Sequence, residues 1–266
     1  MVNIMIESGF KEQVYKKNFI TNVIFKINFS KILDLSEKKP PIKLKKIINE
    51  KFPGLEVKRI PQINTRIMKD STLDVKGTTK VLWIFSNREK TIKVEIDQEY
   101  LAIEYNKYNN FTEFFQTIKY IFKEFIELYD IKIINSLGLR YINQIKLNTG
   151  NPLDWDNLIN QNLFCISKNF VKENYRNNIS RSMHLLDINE KEYKLRFQFG
   201  MHNSEYPNPI NRKEFILDYD CTSKEEMEIG EAPNKVKMFN TIVYDWFESS
   251  IMDGLRKEMG VIKHEK

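Results

Sequence analysis

Residues 136–147 read SLGLRYINQIKL, and their reading decides the fold. On an extended chain successive side chains alternate, so Leu137, Leu139, Tyr141, Asn143, Ile145 and Leu147 share one face. Gly138, Arg140, Ile142, Gln144 and Lys146 share the other. This is a β-strand with one apolar face, and it stands near the middle of a 266-residue chain, between two regions that repeat one order of elements.

In the region before it, ITNVIFKINF (20–29) alternates, with Val23, Phe25, Ile27 and Phe29 on one side, and predicts a strand. Prolines open and Pro53-Gly54 closes a helix over 41–51, with Ile42, Ile47, Ile48 and Phe52 inward and the lysines outward. Residues 61–80 are polar and read as a loop, whereas VLWIFS (81–86), TIKVEID (91–97) and YLAIEYN (100–106) read as an antiparallel meander. FTEFFQTIKYIFKEFIELYD (111–130) then places Phe111, Phe114, Phe115, Ile118, Phe122, Phe125, Ile126 and Tyr129 at helical spacing, which predicts an amphipathic helix packed on the sheet.

The region that begins with SLGLRYINQIKL follows the same plan. DWDNLINQNLF (154–164) reads as a short helix, and ISRSMHLLDI (179–188), EYKLRFQFGM (192–201) and EFILDYDC (214–221) read as strands. Residues 234–260 read as one long helix with Phe239, Ile242, Val243, Trp246, Phe247 and Ile251 on a face. Each half thus runs strand, helix, three strands, long helix. An echo accompanies the order: Phe115-Gln-Thr-Ile-Lys-Tyr120 and Phe239-Asn-Thr-Ile-Val-Tyr244 share four of six residues. The expected fold is therefore α+β: two similar units, residues 1–130 and 131–266, forming a mainly antiparallel sheet with both long helices on one side. The opposite sheet face would be the binding surface.

Composition narrows the function classes. With 41% hydrophobic residues the chain can bury a sizeable core. No stretch approaches the roughly 18 apolar residues of a membrane span, and MVNIMIESGFKEQ lacks the features of a signal peptide, so a cytoplasmic protein without membrane contact is expected. Cys165 and Cys221 stand far apart with no CxxC, which leaves neither a disulfide framework nor a zinc site of the usual spacing. Net charge is +6, with pI near 9.0. Lysine is abundant throughout, however, and the densest basic run, Lys43, Lys45, Lys46, Lys51, Lys58 and Arg59, reads as a solvated face ahead of a nucleic-acid footprint.

Candidate site residues centre on the opening stretch. Asn143 is the odd polar member of an apolar face and must find hydrogen-bond partners there, so it reads as a structural staple beside Tyr141. Arg140 lies on the more polar face next to Gly138, whose missing side chain permits close approach. That pairing suits an anion or carboxylate contact, and a cross-strand salt bridge to Asp187, Asp218 or Asp220 is the plainer alternative. Arg181 and Arg196 complete the candidate partner-binding set. Asp218 and Asp220 share a strand face, and Asp187 from a neighbouring strand would make three carboxylates able to hold Mg²⁺. The chain has no glycine-rich phosphate loop, no GxSxG elbow and no HxxxH or HExxH among His184, His202 and His264, so no cofactor is expected. Trp83 and Trp155 read as core, while GMHNSEYPNPINRK (200–213) and TSKEEMEIGEAPN (222–234) read as long partner-binding loops.

Several stretches together resemble a known family. They are Val23 to Phe29 as V-I-F-x-I-x-F, Phe52-Pro53, Trp83 to Phe85, Phe111-x-x-Phe114, Gly138-Leu-Arg-Tyr-Ile-Asn143, Leu217-Asp-Tyr-Asp220 and the helix from Asn240 to Ile251. In this order they resemble a sporadically distributed family of bacterial and archaeal proteins of about this length, to which no activity is assigned; GLRYIN is the most specific match. The patchy distribution is that of accessory genes on mobile or defence islands, which implies a lifestyle rather than a mechanism.

Two readings of function follow. One is a non-enzymatic binding or regulatory component of a defence or toxin-regulating system, gripping nucleic acid or a partner protein encoded nearby through the sheet face around Arg140. The alternative is a Mg²⁺-dependent hydrolase or nuclease using Asp187, Asp218 and Asp220. The absence of a complete catalytic constellation in the sequence favours the first.

Overall fold

The computed structural model describes residues 14–35, 41–67 and 73–262; the amino-terminal stretch 1–13 and His264 lie outside them. In chain order the elements are β1 (Val14–Tyr15), β2 (Ile20–Asn28), α1 (Ile42–Ile48), β3 (Gly54–Ile67), β4 (Leu73–Ser86), β5 (Ile92–Ile96), β6 (Tyr100–Tyr105), α2 (Phe111–Tyr129), β7 (Ile133–Ile134) and β8 (Ser136–Leu147). A 3₁₀ turn (Gln161–Leu163) and a π-helical turn (Ile166–Phe170) lead through α3 (Glu173–Arg176) to β9 (Ser182–Asn189), β10 (Tyr193–Met201), β11 (Lys213–Ser223) and β12 (Met227–Glu228). A second 3₁₀ turn (Ile229–Glu231), α4 (Ala232–Ser250), α5 (Asp253–Met259) and β13 (Val261–Ile262) complete the chain. Nine strands, β2 to β6 and β8 to β11, form a mainly antiparallel sheet, while β1 pairs with β13 and β7 with β12. Among the described residues no helix is long and apolar enough to cross a membrane.

The chain divides into two compact units. One, containing α2, comprises residues 24–137 and 225–231; the other, containing α4, comprises the described residues of 1–23, 138–224 and 232–266. In the α2 unit the strand order is β3-β4-β5-β6-β2. The Asn110 side chain caps α2 by accepting from the Glu113 backbone N–H at 2.9 Å, and Asp130, in a left-handed conformation, closes it. The buried face of α2 is Phe114, Phe115, Ile118, Ile121, Phe122 and Phe125. Phe122 meets Phe25 edge-on and Phe125 meets Phe29, so the aromatic stripe is core packing on β2.

Two expectations for this unit change. Residues 61–67 and 73–80 are strand, not loop, because β3 and β4 pair from Gly54 opposite Ser86 to Ile67 opposite Leu73. β5 joins β4 only over Trp83–Ser86, which leaves the far part of the hairpin a two-stranded ribbon. The sequence does alternate here, Ile63, Thr65 and Ile67 with Gln62, Asn64 and Arg66, and Leu73 and Val75 with Asp74 and Lys76, but threonines, Gly77 and Pro61 dilute the signal; Pro61 is tolerated on the outer strand. The unit accordingly has four strands between its helices. In α1, Leu44 and Ile48 face inward with Phe52, while Ile42 and Ile47 are exposed. Leu44, Ile48 and Phe52 form an i, i+4, i+8 stripe that defines this face, and Lys45 folds back to donate to the Phe52 and Pro53 carbonyls.

In the α4 unit the strand order is β8-β11-β10-β9, and the first residues of β2 run along β8, with Gln144 N–H donating to Phe19 O at 2.8 Å. α4 packs on one face of these strands: Tyr141 OH donates to Asn240 Oδ1 at 2.7 Å, and Phe197 lies between Tyr219, stacked at 4.6 Å, and Trp246 at 5.7 Å. The expected single helix over 234–260 is two helices, and the expected short helix at 154–164 is mostly turns. Both differences have one cause. Residues 157–160 run alongside 250–254 and take over backbone hydrogen bonds that helices would have made: Asn160 N–H to Ser250 O, Met252 N–H to Leu158 O, and Gly254 N–H to Asn157 O. A Cβ at Gly254 would lie 2.3 Å from Asn157 O, so this approach requires glycine. The buried carboxylate of Glu248 accepts from Tyr15 OH at 2.6 Å and Arg256 Nε at 3.0 Å, and so ties the neighbourhood of β1 and α5 to the end of α4.

Candidate functional site on the open sheet face

The face of the α4 unit's strands opposite α4 carries polar side chains in register. Arg140 on β8 stands opposite Asp220 on β11, Asp220 opposite Arg196 on β10, and Arg196 opposite Asp187 on β9, a row of alternating charge across four strands. The next row is Ile142, Asp218, Gln198 and Leu185, and the one beyond Asp220 is Gly138, Thr222, Lys194 and Asn189. Sequence alternation produces this directly: β10 buries Leu195 and Phe197 and exposes Lys194, Arg196 and Gln198.

The guanidinium of Arg140 reaches diagonally past its register partner. Nε donates to Asp218 Oδ1 at 2.8 Å and Nη2 to Asp218 Oδ2 at 2.6 Å, a two-point clamp on a buried carboxylate. Arg196 clamps Asp187 in the same way, Nε to Oδ1 at 2.8 Å and Nη2 to Oδ2 at 3.2 Å, in full solvent. The Asp218 bond strengthens the proton affinity of Arg140. Hydrogen bonding to Arg196 holds the Asp187 carboxyl below its ordinary range. Asp220 sits between the two arginines with neither as an ion-pair partner; its hydrogen bond is from Thr222 Oγ1, at 3.5 Å. Burial pushes its carboxyl above the ordinary value, the Asp218 charge adds to this, and the pull of Arg140 and Arg196 opposes it. A cleft of about 300 Å³ opens beside the row, lined by Asp187, Ile188, Asn189, Lys194, Arg196 and Asp220 among others.

The other candidate residues fall elsewhere. Asn143 is on the buried face and donates from Nδ2 to Leu217 O at 3.2 Å, and Tyr141 is on that same face against α4. Arg181 lies before β9, with its guanidinium 4.0 Å from the Tyr206 ring centre. Asp187, Asp218 and Asp220 do not converge: Arg196 stands between Asp187 and Asp220, two strands or about 10 Å apart, and Asp218 and Asp187 are each clamped by an arginine. Among the described residues no group of three His, Cys, Asp or Glu is placed to hold a metal ion. His184 packs on Phe199. Trp83 and Trp155 are both buried, as is Cys221, whose thiol burial raises it far out of the reactive range.

The two long loops are folded segments. In 202–212, Asn203 donates to Ser180 O and Asn208 O, Ser204 donates to buried Glu214, and Arg212 pairs with Glu205. In 222–234 the chain forms β12 against β7 and then turns into α4. The sequence reading did not single out the exposed leucines of β9, Leu185 and Leu186; they break an otherwise alternating strand, and this was the available signal.

The chain matches no protein-family model and no curated protein.

Proposed function

We propose that this protein is a non-enzymatic binding component that grips a partner protein with the polar face of β8, β11, β10 and β9. The observation that carries the reading is the charge balance of that face. Its four cations, Arg140, Lys146, Lys194 and Arg196, are matched by Asp187, Asp218, Asp220 and Glu214, and both arginines are already clamped on carboxylates. A phosphate backbone needs several uncommitted cations and meets repelling carboxylates here. A protein surface, which offers donors and acceptors together, complements such a face. The hydrolase reading has less support, because its three carboxylates are engaged or held apart.

We also infer that the two units are copies of one α+β unit. In both, the first strand lies beside the last strand of the meander (β2 beside β6, β8 beside β11), and the long helix that follows packs on the strands of its own unit. Membership of the sporadic family resembled at GLRYIN is part of the same proposal, as is a partner encoded nearby in a defence or toxin-regulating setting.

The test is affinity purification of the tagged full chain from its native host, with the 260/280 nm absorbance ratio and mass spectrometry of what co-elutes. Expected is a stoichiometric protein that is lost with Lys194→Glu or Arg196→Glu, exposed changes that spare the core. Co-eluting nucleic acid, or a ligand-free chain, contradicts the proposal.

A further inference from the structure

β9 is the last strand of its sheet, and among the described residues it pairs with β10 alone. Exposed sheet edges are normally blunted by lysines, prolines or bulges. The outer strand of the other unit, β3, has Lys58, Arg59 and Pro61. β9, SMHLLDIN, has none of these; its one charge is Asp187, and it exposes Leu185 (58%) and Leu186 (44%).

The two faces of the sheet state what would come next. On the polar face the row Arg140, Asp220, Arg196, Asp187 alternates in sign and stops at the edge on a carboxylate. On the α4 face the row Tyr141, Tyr219, Phe197, Leu186 is aromatic and apolar and stops on a leucine that is half uncovered. One further strand continuing both rows needs a Lys or Arg facing Asp187 and, next to it in sequence, an apolar residue facing Leu186.

We propose that β9 receives an extended segment of the partner protein by strand addition, and that a basic residue adjacent to an apolar one sets its register. This rests on the partner-protein reading and names the element the partner contributes. A second copy of β9 does not fit. Pairing two such strands about a twofold axis normal to the sheet keeps like faces together, so Asp187 would face Met183, Leu185, Asp187 or Asn189, none of them a cation. Backbone hydrogen bonds along the edge supply affinity, and the alternate side chains supply selectivity.

The test is selection of a phage-displayed library of eight-residue peptides on the full chain, on Asp187→Lys and on Asp187→Asn. Enrichment of a Lys or Arg beside an apolar residue is expected on the native chain, and replacement of that basic residue by Asp or Glu on Asp187→Lys. A selected peptide should bind Asp187→Asn about twofold to fivefold more weakly, the scale of an exposed cross-strand pair. It should also slow amide exchange within Ser182–Asn189. No enrichment, the same consensus on Asp187→Lys, protection of another segment, or self-association of the chain through β9 would overturn the proposal. If a native partner is lost with Lys194→Glu while no peptide enriches, strand addition fails and the face reading stands. If peptides enrich with charge reversal but no native partner is found, the edge stands and the face reading fails.

Discussion

Two strands of the nine-stranded sheet show how one chain builds a strand covered on both faces and a strand covered on one. In β4, Val81, Leu82, Trp83, Ile84 and Phe85 are buried in succession, so both faces of the strand are covered at that point. In β10, Leu195 and Phe197 are buried while Lys194, Arg196 and Gln198 are exposed. An unbroken apolar run suits a strand with layers on both sides, and strict alternation suits one that is packed on one side only. The cost of full cover shows at Trp83, whose indole N–H is buried without a hydrogen-bond acceptor among the described residues. The strand with the weaker apolar signal is the one that leaves a face exposed.

The largest effect that could break this comparison is core truncation. Ile84→Ala should lower unfolding free energy by about 2–5 kcal/mol in urea titration, whereas Gln198→Ala should change it by less than about 0.5 kcal/mol. Equal losses would mean that the β10 face is covered after all. Next, Arg140→Ala should cost about 1–3 kcal/mol, because it strands the buried carboxylate of Asp218. Arg196→Ala, at an exposed pair, should cause no measurable loss. Binding tests at Arg140 therefore need Arg140→Lys, which retains charge but loses the two-point clamp, as a control. Asn143→Ala, which frees the Leu217 carbonyl, should cost about 1 kcal/mol by the same titration.

The smallest effect is the most discriminating for the charged row. The Asp220 carboxyl is raised in the fold, so its contribution to stability is fully present below the unfolded carboxyl pKa and is lost as pH rises through the folded value. Asp220→Asn should therefore raise Tm slightly at pH 7, and the gain over the native chain should vanish as pH falls towards the unfolded pKa. A lower Tm for Asp220→Asn at pH 7 would mean that Arg140 and Arg196 compensate the burial of this carboxylate.

Much of the fold was legible because its signals are local. The alternation in SLGLRYINQIKL puts Arg140 and Asn143 on opposite faces, and the aromatic spacing of 111–129 defines α2. The misread segments depend on distant partners. The ribbon at 60–67 and 73–80 has only a short alternation of Ile63, Thr65, Ile67 and of Leu73, Val75, diluted by Pro61 and Gly77, and the break after Ser250 is made by Asn157–Asn160, some ninety residues earlier in the sequence. At the candidate site the participants were legible but the pairing was not. Asp187, Asp218 and Asp220 could be named from alternation, yet only strand order reveals that Arg196 separates two of them and that Arg140 selects Asp218 over the directly opposed Asp220.

The central claim, that the polar face of β8, β11, β10 and β9 is the partner surface, is tested most directly by hydrogen–deuterium exchange on the full chain with and without its co-purified partner. The account predicts slowed exchange confined to 138–144, 182–189, 194–198 and 218–222. Protection concentrated on the α1 lysines or on the β3–β4 ribbon, with these four segments unchanged, would contradict it.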